Sequence, residues 1–183
     1  MLNKVISNSF LYSLSSIILR ASSIFLFPIF SFYLTKEDYG ILLITQSLTI
    51  FITSFSGFQL QKTLTRFLYS KKFDSKLLLG NIIITSLIIN SIVVVFLMFF
   101  GESCLRFFLN DISFHPYMFY SILSIFFTFI VTLYSSYLKA IQDGKKSFAF
   151  DILYYSTNII LNLVFVVVFK FNVIGLIYST IIS

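Results

Sequence analysis

Arg20 is the residue whose chemistry most needs an explanation, because it lies in the middle of a long apolar run. An arginine at the centre of a membrane-spanning helix costs about 2.5–3.5 kcal/mol on insertion scales. We therefore expect its guanidinium to face water, a counter-ion or an anionic ligand. Two interpretations stay open: Arg20 binds an anionic group of a substrate, or it forms a buried ion pair with an acid such as Asp151.

A second set of polar residues lies in a later apolar run and shares one face at helical spacing. Its members are Asp151, Tyr155, Asn158 and Asn162. Amides inside a membrane helix either bond to a neighbouring helix or line a hydrophilic cavity. Asp151 lies near the start of its run, where a carboxylate could instead cap the helix. The candidate substrate-binding residues are therefore Arg20, Asp151, Asn158 and Asn162.

Serine and threonine side chains form further stripes, at intervals of three or four residues, in the other apolar runs. Three of these stripes are Ser9, Ser13, Ser16 and Ser23, with Arg20 between the last two; Thr45, Thr49, Thr53 and Ser56; and Ser121, Ser124, Thr128, Thr132 and Ser135. Small hydroxyl side chains let helix backbones approach closely and form hydrogen bonds across the interface. The stripes therefore favour close helix packing over a transport pathway.

Helices long enough to cross a bilayer must position these residues. The sequence is 58% hydrophobic and only 11% charged, whereas a soluble domain is about a quarter charged, so lipid is the solvent for much of the chain. A spanning helix needs about 20 mostly apolar residues. Five segments meet this requirement and a sixth begins, at residues 7–34, 40–59, 77–100, 116–138, 148–169 and 173–183. The predicted fold is all-α, a polytopic transmembrane helix bundle forming one domain over residues 1–183.

The sequence contains no recognisable catalytic or metal-binding motif. Cys104 is its only cysteine and His115 its only histidine, so neither a thiolate cluster nor a paired-histidine zinc site can form. A phosphate-binding glycine loop and a Ser/His/Asp set are also absent. We therefore expect neither an enzyme nor a cofactor or metal. The net charge of +6 comes from residues between the apolar runs, so we do not expect nucleic-acid binding either.

The distribution of lysine and arginine predicts which loops face the cytoplasm. With the N-terminus inside, the inner segments hold Lys4, Lys62, Arg66, Lys71, Lys72, Lys76, Lys139, Lys145 and Lys146, and the outer segments hold Lys36, Arg106 and Lys170. Cytoplasmic loops carry the excess of basic residues in membrane proteins. The sequence therefore predicts a multi-pass protein with a cytoplasmic N-terminus.

Two predicted turns resemble those of polysaccharide flippases in the multidrug/oligosaccharidyl-lipid/polysaccharide exporter superfamily. Pro28 followed by residues 33–40 (YLTKEDYG) resembles the outer turn between the first two helices of that family. Residues 137–146 (YLKAIQDGKK) resemble the turn between its fourth and fifth helices, and Gly175 lies where such proteins often have a glycine. The resemblance spans essentially the whole chain.

This resemblance implies a transporter with two similar lobes around a central cavity. The present chain would form the first, incomplete lobe, and a C-terminal lobe would be missing. Members of the family lie in the bacterial inner membrane and move undecaprenyl-diphosphate-linked oligosaccharide to the periplasmic leaflet by alternating access. They serve the synthesis of O-antigen in lipopolysaccharide, of capsule or of exopolysaccharide, and draw on ion gradients, although the sequence does not identify the coupling ion. Arg20 would then meet the diphosphate charge.

Three other functions stay open. A drug or cation exporter of the same superfamily would need carboxylates deep in its cavity, and only Asp151 approaches such a position. A membrane-embedded polysaccharide polymerase would carry a large outer loop with several charged residues, whereas the longest predicted outer loop, residues 101–115, has one arginine. The sixth segment ends without a flanking charge, which leaves open an inactive truncated remnant.

Overall fold

The computed structural model describes residues 2–56, 75–109 and 112–183. Its helices within those ranges are α1 (Leu2–Tyr33), α2 (Lys36–Ser56), α3 (Ser75–Leu109), α4 (Phe119–Ala140), α5 (Gly144–Leu163) and α6 (Asn172–Ile182). A short π-helical turn precedes α4 at Phe114–Met118, and another extends α5 at Val164–Val168. No β-strand occurs in the described ranges, so the all-α prediction is confirmed.

Within the described ranges, four stretches of helix are long and apolar enough to cross a membrane, namely Ile6–Tyr33, Gly80–Arg106, Phe114–Ala140 and Gly144–Val168. They correspond to the first, third, fourth and fifth predicted spans. The second predicted span, 40–59, corresponds to α2 but ends outside the described residues, so the count of five full spans stays a prediction. Four of the basic residues used to predict orientation also lie outside that part of the chain: Lys62, Arg66, Lys71 and Lys72.

The bundle buries several polar side chains and exposes many large apolar ones. Asn90 and Ser147 are completely buried, whereas Phe32 and Phe99 are 88% and 80% exposed. Water would penalise such exposed phenyl rings, and hydrocarbon would penalise exposed amides. This distribution, together with the four long apolar helices, is that of a multi-pass membrane protein.

α4 is the central helix, since it packs against α2, α3, α5 and α6. Its residues Ile122 and Ile125 join a hydrophobic cluster with α2 and α3, and Phe129 joins a second cluster beside α3. α1 packs mainly along α5, at the edge of the bundle. Only 6% of the central residues of the α1 span are buried, against 44% for the α4 span. α1 is therefore the least enclosed of the long helices.

The turn between α1 and α2 is held by a reciprocal cap. The backbone N–H and hydroxyl of Thr35 donate to the Asp38 carboxylate at 3.0 and 2.9 Å, and the Asp38 N–H donates to the Thr35 hydroxyl at 3.2 Å. This arrangement satisfies backbone groups that the first turn of a helix otherwise leaves unpaired. It explains why residues 33–40 form a tight turn.

The turn between α4 and α5 is held by Asp143, whose carboxylate accepts a hydrogen bond from the Lys146 N–H at 3.2 Å and so caps α5. Asp151 lies about two turns further along, so the capping interpretation of Asp151 is wrong. Asn8 of α1 donates to the Gln142 carbonyl at 2.8 Å. The start of α1 and this turn therefore lie at the same end of the bundle.

α3 continues to Leu109, beyond the predicted end of its span at residue 100. The added turns are amphipathic, because Leu105 is buried beside Phe114 while Glu102 and Arg106 are exposed. Hydropathy alone ends the span at the first charged residue and misses this extension. The predicted outer loop of residues 101–115 is accordingly much shorter.

Candidate functional site

A cavity of about 470 Å³ lies between α1 and the facing surfaces of α2, α5 and α6, and we name it the α1 cavity. Its lining residues are Leu19, Ser22, Leu26, Phe27, Phe30, Tyr39, Leu42, Leu43, Gln46, Tyr155, Asn158, Ile159, Asn162, Leu176 and Thr180. At the end of the cavity near the α1–α2 turn, the rings of Phe27 and Tyr39 lie 5.9 Å apart. The cavity combines apolar walls with uncharged polar groups, as small-molecule sites commonly do.

A second cavity of about 320 Å³, the α4 cavity, adjoins the first between α2, α4, α5 and α6. Its polar lining residues are Thr45, Gln46, Thr49, Ser121, Ser124, Thr128, Tyr154 and Thr180. Leu42, Gln46, Leu176 and Thr180 line both cavities. The two cavities therefore adjoin one another, and we name the pair the polar recess after the amides and hydroxyls that its mostly apolar lining contains.

Asn158 and Asn162 form a network that joins α5 to α6. The Asn162 Nδ2 donates to the Asn158 Oδ1 at 2.9 Å, and the Asn158 Nδ2 donates to the Ser183 hydroxyl at 3.2 Å. The Ser179 hydroxyl donates to the Asn162 Oδ1. Both asparagines also line the α1 cavity. The amides thus bond to a neighbouring helix, which is one of the two interpretations that the sequence left open. They also line a cavity, but its lining is mostly apolar and not hydrophilic as the other interpretation requires.

The hydroxyl stripes of α2 and α4 line the α4 cavity, but their protons are largely used within their own helices. Thr45 donates to the Ile41 carbonyl at 2.8 Å, and Ser121 donates to the Tyr117 carbonyl at 2.8 Å. Thr49 and Ser124 likewise bond to carbonyls of their own helices. These hydroxyl oxygens keep lone pairs, so the α4 cavity can accept hydrogen bonds from a polar ligand.

Asp151 is buried, with 5% of its surface exposed, and its carboxylate contacts α4. The Ser135 hydroxyl donates to Oδ1 at 2.8 Å, and the Lys139 Nζ lies 3.3 Å from Oδ2. Asp151 therefore pairs with Lys139 and not with Arg20, so the proposed Arg20–Asp151 ion pair is wrong. Asp151 is absent from the residues that line the two cavities.

Arg20 is exposed on α1 and does not line the α1 cavity, although Leu19 and Ser22 do. Successive residues of an α-helix differ by about 100° around the axis, which places Arg20 on the face next to the cavity wall. The structure thus brings Asn158 and Asn162 together, while Asp151 and Arg20 lie apart from them.

Lys139, Ser179 and Thr180 belong to these polar clusters but were not predicted as members of them. The positions of the residues along the chain could have predicted two of the contacts, Ser135–Asp151 and Asn162–Ser179. Ser135 and Asp151 lie at equal distances along the chain from Asp143, and antiparallel helices joined by a short turn bring such pairs together. The same symmetry about the turn after α5 brings Ser179 near Asn162.

A metal centre is not apparent among the described residues, since no group of three or more His, Cys, Asp or Glu side chains lies close enough to hold an ion. Two ion pairs occur in these ranges, Lys139–Asp151 and the exposed Lys146–Asp143 pair, and neither lies in the cavity linings. The polar recess therefore offers hydrogen bonding as its main chemistry.

A family model described as "polysaccharide biosynthesis protein" matches residues 5–183. No curated protein and no solved structure matches the chain. The family match agrees with the resemblance to polysaccharide flippases in the turns at residues 33–40 and 137–146. It covers nearly the whole chain, and with it the elements that form both cavities. The chain belongs to the family of polysaccharide biosynthesis proteins.

Proposed function

We propose that this protein moves undecaprenyl-diphosphate-linked oligosaccharide across the bacterial inner membrane during surface polysaccharide synthesis, as a transporter and not an enzyme. The observation that carries the proposal is a polar recess inside a bundle with an apolar outside, in a chain of the polysaccharide biosynthesis family. Sugar hydroxyls cannot leave water for hydrocarbon without replacement hydrogen bonds. Amides and hydroxyls lining the recess would supply those bonds.

Arg20 would meet the diphosphate of the carrier lipid. A phosphate group in a membrane needs a cation, and arginine offers a forked, charge-assisted hydrogen bond. Its exposed position beside the α1 cavity leaves the guanidinium free to contact a ligand that enters between α1 and a second lobe. We propose that α1–α6 form one lobe and that alternating access occurs between it and a second, similar lobe.

Two competing functions are less well supported by the geometry. A cation exporter needs an available carboxylate, but Asp151 is neutralised by Lys139, and the described lining residues carry no charge. A polymerase needs a large outer loop, but α3 continues to Leu109 and shortens the loop that follows it. Transport of a sugar-bearing substrate therefore fits the recess best.

The proposal is tested by complementation of a bacterial strain that lacks its own flippase. The natural gene should restore surface polysaccharide. Arg20→Ala should reduce it by about tenfold or more, because one charge-assisted contact to the diphosphate is lost, and Arg20→Lys should retain part of the activity. Arg106→Ala removes an exposed arginine at the end of α3 and serves as the control. Full activity of Arg20→Ala at equal protein level would remove Arg20 from the mechanism.

A further inference from the structure

The asparagine pair has hydrogen-bond donors to spare. A primary amide carries two N–H donors, and the described residues occupy one donor of Asn158 and one of Asn162. Each carbonyl oxygen of the pair already accepts a bond, from Asn162 and from Ser179 respectively. Each amide of the pair therefore keeps one N–H donor and one oxygen lone pair for a ligand in the α1 cavity.

Two further donors line the same cavity. Tyr155 precedes Asn158 by three residues on α5, so both side chains lie on one helix face. Gln46 reaches the cavity from α2. Neither the Tyr155 hydroxyl nor the Gln46 amide has a hydrogen-bond partner within residues 2–56, 75–109 and 112–183. Donors from two helices thus converge on one space.

The rest of the cavity lining is uncharged and mostly apolar. Leu26, Leu42, Ile159 and Leu176 form its walls, and the described lining includes neither a carboxylate nor a cation. A carboxylate or phosphate placed there would lose its hydration without gaining a counter-ion, which is costly. A neutral acceptor such as an amide carbonyl has no such penalty. An adjoining methyl group would contact the leucine and isoleucine walls.

We infer that the α1 cavity binds the acetamido group of an N-acetylated sugar in the transported lipid-linked oligosaccharide. The carbonyl oxygen, which has two lone pairs, would accept hydrogen bonds from Asn158 and Tyr155, and the methyl group would pack against the apolar walls. This inference rests on the proposed function, because it names the sugar group that the same recess recognises. Arg20, on the neighbouring face of α1, is left to meet the diphosphate.

Binding measurements on the purified protein, in its full natural length and in detergent, test the inference. The two probes share one polyprenyl diphosphate and carry either N-acetylglucosamine or glucose, so lipid and phosphate contacts are constant. We expect the N-acetylglucosamine probe to bind about 5- to 10-fold more tightly, as one or two neutral hydrogen bonds would give. Asn158→Leu and Tyr155→Phe should each reduce this ratio towards one.

The control is Ser156→Ala on the opposite side of α5. The Ser156 hydroxyl is exposed and donates to the Leu153 carbonyl of its own helix at 3.0 Å, so its loss should leave the ratio unchanged. Tyr155→Phe removes only one oxygen, and it keeps the test decisive if Asn158→Leu fails to fold.

The outcomes test the acetamido site and the proposed transport separately. Equal affinity of the natural protein for both probes, or no binding of either, would overturn the acetamido site. A ratio that survives both Asn158→Leu and Tyr155→Phe would overturn it as well. The proposed transport is judged separately, by movement of either probe across vesicle membranes. A clear binding preference without any movement would contradict the proposed function and leave the acetamido site standing.

Discussion

At the scale of single residues, the buried carboxylate of Asp151 ties α5 to α4. Its two contacts, with Ser135 and Lys139, both cross the interface between these helices. A buried charge that loses its partner is strongly unfavourable, because the protein interior cannot replace the lost solvation. Removing either partner of the Lys139–Asp151 pair is therefore expected to destabilise the bundle, because the other charge is left unpaired.

Replacing Lys139 with glutamine should lower the free energy of unfolding by about 1–2 kcal/mol. This is less than for a fully buried pair, because the Lys139 side chain is 44% exposed and solvent screens part of its charge. The thermal unfolding midpoint of the purified protein in detergent measures the effect. Adding Asp151→Asn to Lys139→Gln should recover part of the loss, since no carboxylate is then left unpaired.

The matched control is the ion pair between Lys146 and Asp143, at 3.2 Å with the lysine side chain 74% exposed. Exposed pairs of this kind contribute little. Lys146→Gln should therefore leave the midpoint nearly unchanged. Equal effects of Lys139→Gln and Lys146→Gln would contradict the assignment of Lys139–Asp151 as the stabilising pair.

At the scale of elements, the N-terminal end of α1 packs closely against the start of α5. A Cβ at Gly144 would overlap the side-chain oxygen of Asn8 and lie 3.0 Å from its Cα. Gly144→Ala should therefore push α1 away from α5 and destabilise the protein by about 1–3 kcal/mol. Thermal unfolding in detergent measures the loss, and Asn8→Ala in the same chain should relieve part of it.

Gly40→Ala provides the comparison, because a Cβ at Gly40 meets nothing within 4 Å. Gly40 lies inside α2, where alanine is the better helix former, so this change should be neutral or slightly stabilising. If Gly40→Ala destabilised the protein as much as Gly144→Ala, the close approach of α1 to α5 would not be the cause of the destabilisation by Gly144→Ala.

The sequence was sufficient to predict the helices but not all of their ends. Long apolar runs identified α1, α3, α4 and α5, because hydrocarbon forces each backbone to satisfy its own hydrogen bonds. The extension of α3 to Leu109 was missed, since it depends on tertiary burial of Leu105 beside Phe114. Polarity alone could not reveal that contact.

At the scale of the whole molecule, the predicted orientation places residue 145 in the cytoplasm and residue 36 in the periplasm. The bond between Asn8 and the Gln142 carbonyl keeps the start of α1 and the α4–α5 turn at one end. After Cys104→Ser, a membrane-impermeant thiol reagent applied to intact cells should label Lys36→Cys and spare Lys145→Cys. The reverse pattern would contradict the cytoplasmic N-terminus.

In the candidate site, the sequence predicted the shared face of the two asparagines but not the rotation of α1. The spacing of Asn158 and Asn162 predicted a shared face, and the structure places both on the α1 cavity. Which side of α1 faces that cavity could not be predicted, because Leu19 on the wall and Phe25 on the exposed side are equally apolar. The rotation of α1, and with it the position of Arg20, depends on packing against α5.

Transport of a lipid-linked oligosaccharide through the polar recess is tested most directly in vesicles that contain the purified protein in its full natural length. The oligosaccharide is placed in the inner leaflet, and an added lectin measures how fast the sugar reaches the outer leaflet. We expect the protein to give a rate well above that of protein-free vesicles. Arg20→Ala should reduce this rate, and Arg106→Ala should leave it unchanged. A rate equal to that of protein-free vesicles, with an ion gradient of either direction applied, would contradict it.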